Sequence, residues 1–173
     1  MTGTFVIERA LQGHLAGRRI EVGHSVEFGW LILWVEEIGP PIVFRSLDLL
    51  RMASFTTDLR RAEMDHFLQR RVIEAYSADG EDCCLWYSEM ISKSYEPGHP
   101  NAFLERQGPL ERKASGWYVG IEDDPLDMND FNSFEFKSLY ELSISDDRML
   151  PYWLMPVRTL VFLESKVVQI RGH

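Results

Sequence analysis

The densest apolar pattern in the chain lies at residues 26–37, "VEFGWLILWVEE". Its centre is continuously apolar, which predicts one strand buried on both faces. It stops at "IGPP", because consecutive prolines cannot continue a hydrogen-bonded ladder. Ahead of it, "TFVIERAL" reads as a first strand, and "GRRIEVG" as a short alternating strand after a turn at Gly17. Behind it, "IVF" reads as a return strand and "RSLDLLRMA" as a helix with Ser46 as N-cap. A longer helix is predicted from Thr57 to Ala78. There Met64, Phe67, Leu68, Val72, Ala75 and Tyr76 recur at helical spacing and form one apolar stripe. Gly80, in "ADGED", supplies a C-terminal cap and marks a boundary between residues 1–80 and 81–173.

From Asp82 onward the pattern becomes strand-rich. "CCLWYS" reads as a strand. A long connection follows, with short strand content around Ala102–Glu105, and then the strand "GWYVGI". "FNSFEFKSLYEL" alternates and runs into a turn or short helix. "DDRMLPYWLM" reads as a short helical or irregular packing segment, and "RTLVFLESKVVQI" as a closing strand or hairpin. The fold class is α+β, with a mostly antiparallel sheet in the C-terminal half and a sheet plus two helices in the N-terminal half. Residues 1–80 read either as a separate module or as an extension of one continuous fold.

Composition narrows the class without changing this picture. The 173 residues are 45% hydrophobic, which suffices for a core. The net charge of −9 is uneven: residues 1–80 carry −2, and residues 81–173 carry −7. Such a balance repels phosphate backbones and attracts basic partners, so no nucleic-acid role is expected. The longest apolar run, "WLILWV", is too short to span a bilayer. With Glu8 and Arg9 where a secretory leader needs its apolar run, a cytoplasmic location without membrane contact is expected.

The chemistry concentrates at Lys113–Asp130, "KASGWYVGIEDDPLDMND". An aromatic strand ends there in five carboxylates, Glu122, Asp123, Asp124, Asp127 and Asp130. A calcium loop counted from Asp124 or from Asp127 lacks the required glycine, so no metal or cofactor is assigned. His14, His24, His66, His99 and His173 pair with no second ligand at metal spacing. "GHSVEFG" departs from a nucleophile elbow at Glu27 and leads into a strand. Cys83 and Cys84 open an apolar segment and read as structural thiols. No catalytic residue emerges.

Four motifs in order carry a resemblance over residues 82–170. They are "CCLWYSEMISK"; Ser115-Gly116-Trp117-Tyr118 with Gly120-Ile121-Glu122-Asp123-Asp124; "FNSFEFKSLYELS"; and "SDDRMLPYWLMPVRTLVFLES". This stretch resembles the thirty-third numbered family of bacterial immunity proteins, formerly a domain of unknown function, found beside polymorphic toxins and secreted effectors. Ala114 and Tyr118 stand where that family usually has an acidic and a basic residue. The resemblance implies a non-enzymatic protein that neutralises a cognate toxin by occluding its working surface. A toxin with a basic groove would meet the acidic segment, giving Trp117, Tyr118, Glu122, Asp123, Asp124, Asp127, Asp130, Asp146 and Asp147 as expected contacts. Strand alternation places only one of Trp117 and Tyr118 toward the core. The alternatives are a small enzyme with an unfamiliar pocket, or an adaptor that escorts an effector. The oligomeric state stays open.

Overall fold

The computed structural model describes residues 11, 13, 15–40, 42–81, 83–108 and 114–171. The protein is α+β, with mostly antiparallel sheets. A four-stranded meander, β1 (Ser25–Phe28), β2 (Leu31–Glu37), β3 (Val43–Leu47) and β4 (Phe55–Thr56), leads into helix α1 (Arg60–Ala75). The rest of the chain builds a six-stranded sheet. Its strands are β5 (Ser88–Ser92), β6 (Ala102–Arg106), β7 (Ala114–Ile121), β8 (Phe134–Ser138), β9 (Thr159–Phe162) and β10 (Val167–Ile170). They are ordered β10-β9-β6-β7-β5-β8, and only β5 and β7 run parallel. Helix α2 (Leu139–Ser145) follows β8 behind a capping box, in which Ser138 and Glu141 satisfy each other's backbone N–H. A 3-10 segment, Asp147–Tyr152, comes next.

Several sequence expectations shift here. The run at 26–37 is not one strand but a hairpin. Gly29 takes φ +57°, and His66 lies 3.1 Å from where a Cβ would sit, so the chain reverses at Gly29-Trp30. On β2 the side chains of Leu31, Leu33 and Val35 are buried, while those of Ile32 and Trp34 are half-covered. The helix expected at 45–53 does not form. Arg45, Ser46 and Leu47 belong to β3, and Ser46 is buried within it. The following loop is held by side chains instead. The Asp48 carboxylate accepts from the Leu50 N–H at 2.9 Å, and the Tyr140 hydroxyl receives the Ala53 N–H at 3.1 Å beside the Asp48 and Arg51 carbonyls. Residues 19–22 form no strand, and the strand expected at "CCLWYS" begins only at Ser88. The first expected strand lies outside the described residues up to residue 10, and Leu11 is helical. The cap of α1 is not Gly80. Ser77 takes the left-handed conformation (φ +48°), and the Ala78 N–H closes back on the Ile73 carbonyl at 3.0 Å.

One cluster of buried side chains spans the whole fold, from Leu11, Trp30 and Phe44 to Leu104, Trp117, Trp153 and Leu163. Hydrogen bonds cross residue 80 within it. The Leu85 N–H donates to the Trp30 carbonyl at 3.0 Å, and the Gln69 amide donates to the Leu150 carbonyl at 2.9 Å. Helix α1 meets this core through Ala62, Asp65, Gln69 and Ile73. The apolar stripe read from its sequence therefore faces mostly outward: Met64, Phe67, Leu68, Ala75 and Tyr76 are exposed, and of the stripe Val72 alone packs against the core. Asp65 tolerates the inward position because Arg61 clasps its carboxylate at 2.8 Å, although burial still pushes its pKa up.

Candidate binding surface

Strand β7 alternates as a strand must, and its two aromatics part company. Trp117 turns into the core. Its indole N–H donates to the Trp153 carbonyl at 3.2 Å, and its ring meets that of Trp153 edge-on. Tyr118 points to the opposite face, outside the main core cluster, as does Phe134. Tyr118 is nevertheless covered, at 4% exposure, because its ring is flanked by Phe103 and Phe134 and its hydroxyl rests on the Met128 sulfur. Burial and the Asp124 carboxylate push its pKa up to about 12. Gly120 makes room for this arrangement, since a Cβ there would meet the rings of Phe103 and Tyr118 at 2.8 Å.

The register of the sheet extends this outward face. Tyr118 lies beside Met90, Met90 beside Phe136, Phe103 beside Phe162, and Phe162 beside Val167. Phe136 is 61% exposed, and Met90, Phe103, Leu160 and Phe162 are half-buried. This face of the six-stranded sheet is thus largely apolar, exposed at its edge strands through Phe136 and Val167, covered at Tyr118 and Phe134, and interrupted by Glu105, which pairs with Arg171; apolar patches of this kind mark interaction surfaces.

The acidic loop closes one end of that face. It leaves β7 at Ile121 and returns to β8 through a 3-10 turn at Phe131–Ser133. Its own side chains set its shape. Asp127 accepts from both the backbone and side-chain amides of Asn129, and Asp130 from both of Asn132. Asp124 accepts from the Leu126 N–H at 3.0 Å and from the Ser92 hydroxyl. The Lys93 ammonium holds the Asn132 carbonyl at 2.7 Å, and Asp123 takes φ +56°. These amide bonds lower the Asp127 pKa. Burial would raise that of Asp124, but the Ser92 hydroxyl and Leu126 N–H outweigh it and lower the value. Glu122, Asp123, Asp127 and Asp130 are exposed, and among the described residues none makes an ion pair. Exposed Met128 and Phe131, the latter at 79%, stand among them.

Not every expected contact joins this surface. Trp117 is core, because the inward face of β7 carries it against Trp153. Asp146 is also turned inward: it accepts from the Tyr95 hydroxyl, the Gly98 N–H and the Arg148 guanidinium. Burial raises its pKa, and those three donors overcome this and hold it at about 2. Asp147 is exposed, 3.9 Å from the Arg61 guanidinium at α1, apart from the acidic loop in the chain. The surface that remains joins Glu122, Asp123, Asp127 and Asp130 to the apolar face. Sequence reading missed Met90, Phe103, Phe136 and Phe162. Only the alternation of Phe134 and Phe136 signalled a second apolar face.

The Ser-Gly-Trp motif has a structural role of its own. Ser115, Gly116 and Trp117 bulge opposite Glu89, where the β5–β7 register shifts. Gly116 takes φ +81° and lies so close to Gly108 that a Cβ would meet its carbonyl carbon at 2.3 Å. Beneath the bulge, buried Arg106 donates to the carbonyls of Ser115, Glu81, Trp153 and Met155. The fully buried Glu89 carboxyl lies near the Ser115 hydroxyl and the Trp117 N–H without making a full hydrogen bond. Burial pushes its pKa up to about 9, against the pull of Ser115 and Arg106.

Other chemistry is sparse. Among the described residues no three His, Cys, Asp or Glu side chains converge to hold a metal ion, and no helix is long and apolar enough to cross a membrane. Grooves of about 660, 590 and 490 Å³ mark the surface, and none of them is lined by residues of the acidic loop. Cys83 is buried and donates to the Trp153 carbonyl, while burial raises the Cys84 thiol. Compared with protein-family models, with curated proteins and with solved structures, the chain finds no match in any of the three.

Proposed function

We propose that the protein is an immunity-type inhibitor that binds a cognate bacterial toxin or effector through the outward face of the six-stranded sheet and the acidic loop at its end. The observation that carries this reading is the continuity of an apolar, aromatic-rich face with a rim of pre-shaped carboxylates. Aromatic side chains supply the anchoring energy of protein interfaces, and a rim of one charge sign steers the encounter with a partner of the other. The loop's internal amide bonds hold the carboxylates in place before binding, so little ordering cost is added on association. A toxin that acts on nucleic acid or nucleotides presents a basic groove, and exposed carboxylates answer it in place of phosphate. The four-motif resemblance over residues 82–170 supports the same reading.

The test is co-expression with the product of the neighbouring gene as a candidate toxin domain, followed by affinity measurement across salt concentrations. Asp123, Asp127 and Asp130 changed together to Asn keep the amide-accepting oxygens but remove the charge. Binding is expected to weaken about 100-fold and to lose most of its salt dependence. Phe136→Asp is expected to weaken it at every salt concentration. Binding that both variants keep would overturn the proposed surface. No binding by the wild type would overturn the immunity reading for that pair.

A further inference from the structure

The surface grooves differ in charge. Those of about 660, 590 and 490 Å³ each include a carboxylate, Glu27, Asp79 and Asp146 among them. A fourth, of about 460 Å³, includes none, although the chain carries a net charge of −9. It lies between the flank of α1, the 3-10 segment Asp147–Tyr152 and the turn joining β9 to β10. Its floor is apolar, with Leu68 and Val72 of α1 on one side and Pro151 and Leu163 on the other. Three cations line it: Arg71, Arg148 and Lys166. Arg148 is engaged by Asp146 at 2.6 Å and by Glu164 at 3.7 Å. Arg71 and Lys166 make no ion pair among the described residues, and Arg71 rests over the Phe67 ring at 6.0 Å. Lys166 takes φ +55°. The turn alone would favour glycine or asparagine there, so turn geometry does not account for a long cation at this position. One buried polar group is also left over. Tyr152 is 7% exposed and lines the groove, yet its hydroxyl has no hydrogen-bond partner among the described residues. Burial, and Tyr76 in the same groove, push its pKa up, so the hydroxyl stays a neutral donor. A hydroxyl withdrawn from water without a partner costs stability, and an acceptor entering the groove would satisfy it.

We propose that this groove binds a small amphipathic carboxylate, with its apolar body on the floor between Leu68 and Leu163 and its charge taken by Arg71, Lys166 and the Tyr152 hydroxyl. Each part of the lining selects one property of the ligand. The unpaired cations attract an anion and repel a cation. The apolar floor favours a hydrocarbon body over an inorganic ion, which would leave that surface wet. The Tyr152 hydroxyl needs an acceptor, and a carboxylate supplies one. The volume stands in the lower part of the range of about 300–1,000 Å³ that ligand pockets occupy, which sets the ligand at the size of one or two rings. This site is separate from the toxin-facing surface and does not rest on that reading.

The test is calorimetric titration of the purified chain with naphthalene-2-carboxylate, and with naphthalene-2-carboxamide as its uncharged counterpart. The carboxylate is expected to bind with a dissociation constant of about 100 µM, and the amide about tenfold more weakly. Arg71→Gln and Lys166→Gln are each expected to weaken the carboxylate about fivefold and to leave the amide unchanged. Tyr152→Phe is expected to weaken the carboxylate about fivefold as well. Its melting temperature is expected to be no lower than that of the wild type, since the hydroxyl it removes has no partner among the described residues. No binding of the carboxylate up to about 5 mM would overturn the proposal. So would an amide that binds as tightly as the carboxylate, or a carboxylate affinity that all three variants keep. A melting temperature lowered by Tyr152→Phe would assign that hydroxyl to the fold and overturn its role as a ligand donor.

Discussion

Glu89→Gln separates two accounts of the buried polar cluster beneath the Ser-Gly-Trp bulge. In the wild type the Glu89 carboxyl has a pKa of about 9, against 4.5 for a free glutamate. The folded protein therefore keeps a proton that the unfolded chain gives up above about pH 4.5. The sign follows from linkage: the contribution of this group is fully present below 4.5 and is lost as pH rises toward 9. Each pH unit in that window costs about 1.4 kcal/mol, so at about pH 7.5 the loss amounts to about 4 kcal/mol. Glutamine keeps the shape and cannot ionise. Urea titrations followed by tryptophan fluorescence, at steps from about pH 5 to pH 9, are expected to show the variant gaining on the wild type by about 1.4 kcal/mol per unit. Near pH 5 the two proteins are expected to differ by no more than about 1 kcal/mol. Parallel stability curves would refute the reasoning. A loss of about 3–5 kcal/mol at every pH would show instead an ionised Glu89 paired with Arg106, since removing one partner of a buried pair strands the other.

Two further outcomes test the same fold. Gly116→Ala puts a methyl group 2.3 Å from the Gly108 carbonyl carbon at a left-handed backbone position; a loss of about 3–5 kcal/mol by chemical denaturation is expected, whereas Gly98→Ala, with open space around it, is expected to lose about 1 kcal/mol. Asp146, held at about 2 against an ordinary 3.8, contributes stability above about pH 4 that is lost as pH falls toward 2. Acid unfolding of the wild type below pH 4 is expected to remove about 2 kcal/mol that Asp146→Asn protein no longer has to lose, so the stability of the variant is expected to fall less steeply in that range.

The strands of the second sheet were largely legible because each is short, alternating and bounded by turn residues. Ala102–Arg106, Ala114–Ile121 and the Thr159–Ile170 hairpin fall within a residue or two of their expected places. The N-terminal half was less legible for identifiable reasons. Gly29 reverses the chain within what reads as one apolar run, because only the folded structure puts His66 against its backbone. "RSLDLL" has helical composition, but β2 recruits its first residues and Tyr140, 87 residues away, fixes the loop. The facing of α1 shifts because Asp65 and Gln69 find partners in Arg61 and the Leu150 carbonyl, and no local pattern reports such partners. At the candidate surface, the carboxylates were visible as a run of letters. The apolar face beside them was not, because its residues come from six strands whose order does not follow the sequence.

That order has a consequence for how the chain assembles. β5 lies between β7 and β8 in space but precedes both in sequence. During synthesis it emerges long before either neighbour exists, and its parallel pairing with β7 requires the intervening chain, β6 included, to loop around first. β6, β7, β9 and β10 can pair as an antiparallel unit without it. Insertion of β5 completes the sheet and brings Ile91 to the core. Until it happens, β7 is an open edge in a nascent chain, the kind of surface that recruits foreign strands. Folding dominated by such distant pairings is expected on the millisecond-to-second scale, leaving a window in which chaperone capture competes with closure of the sheet.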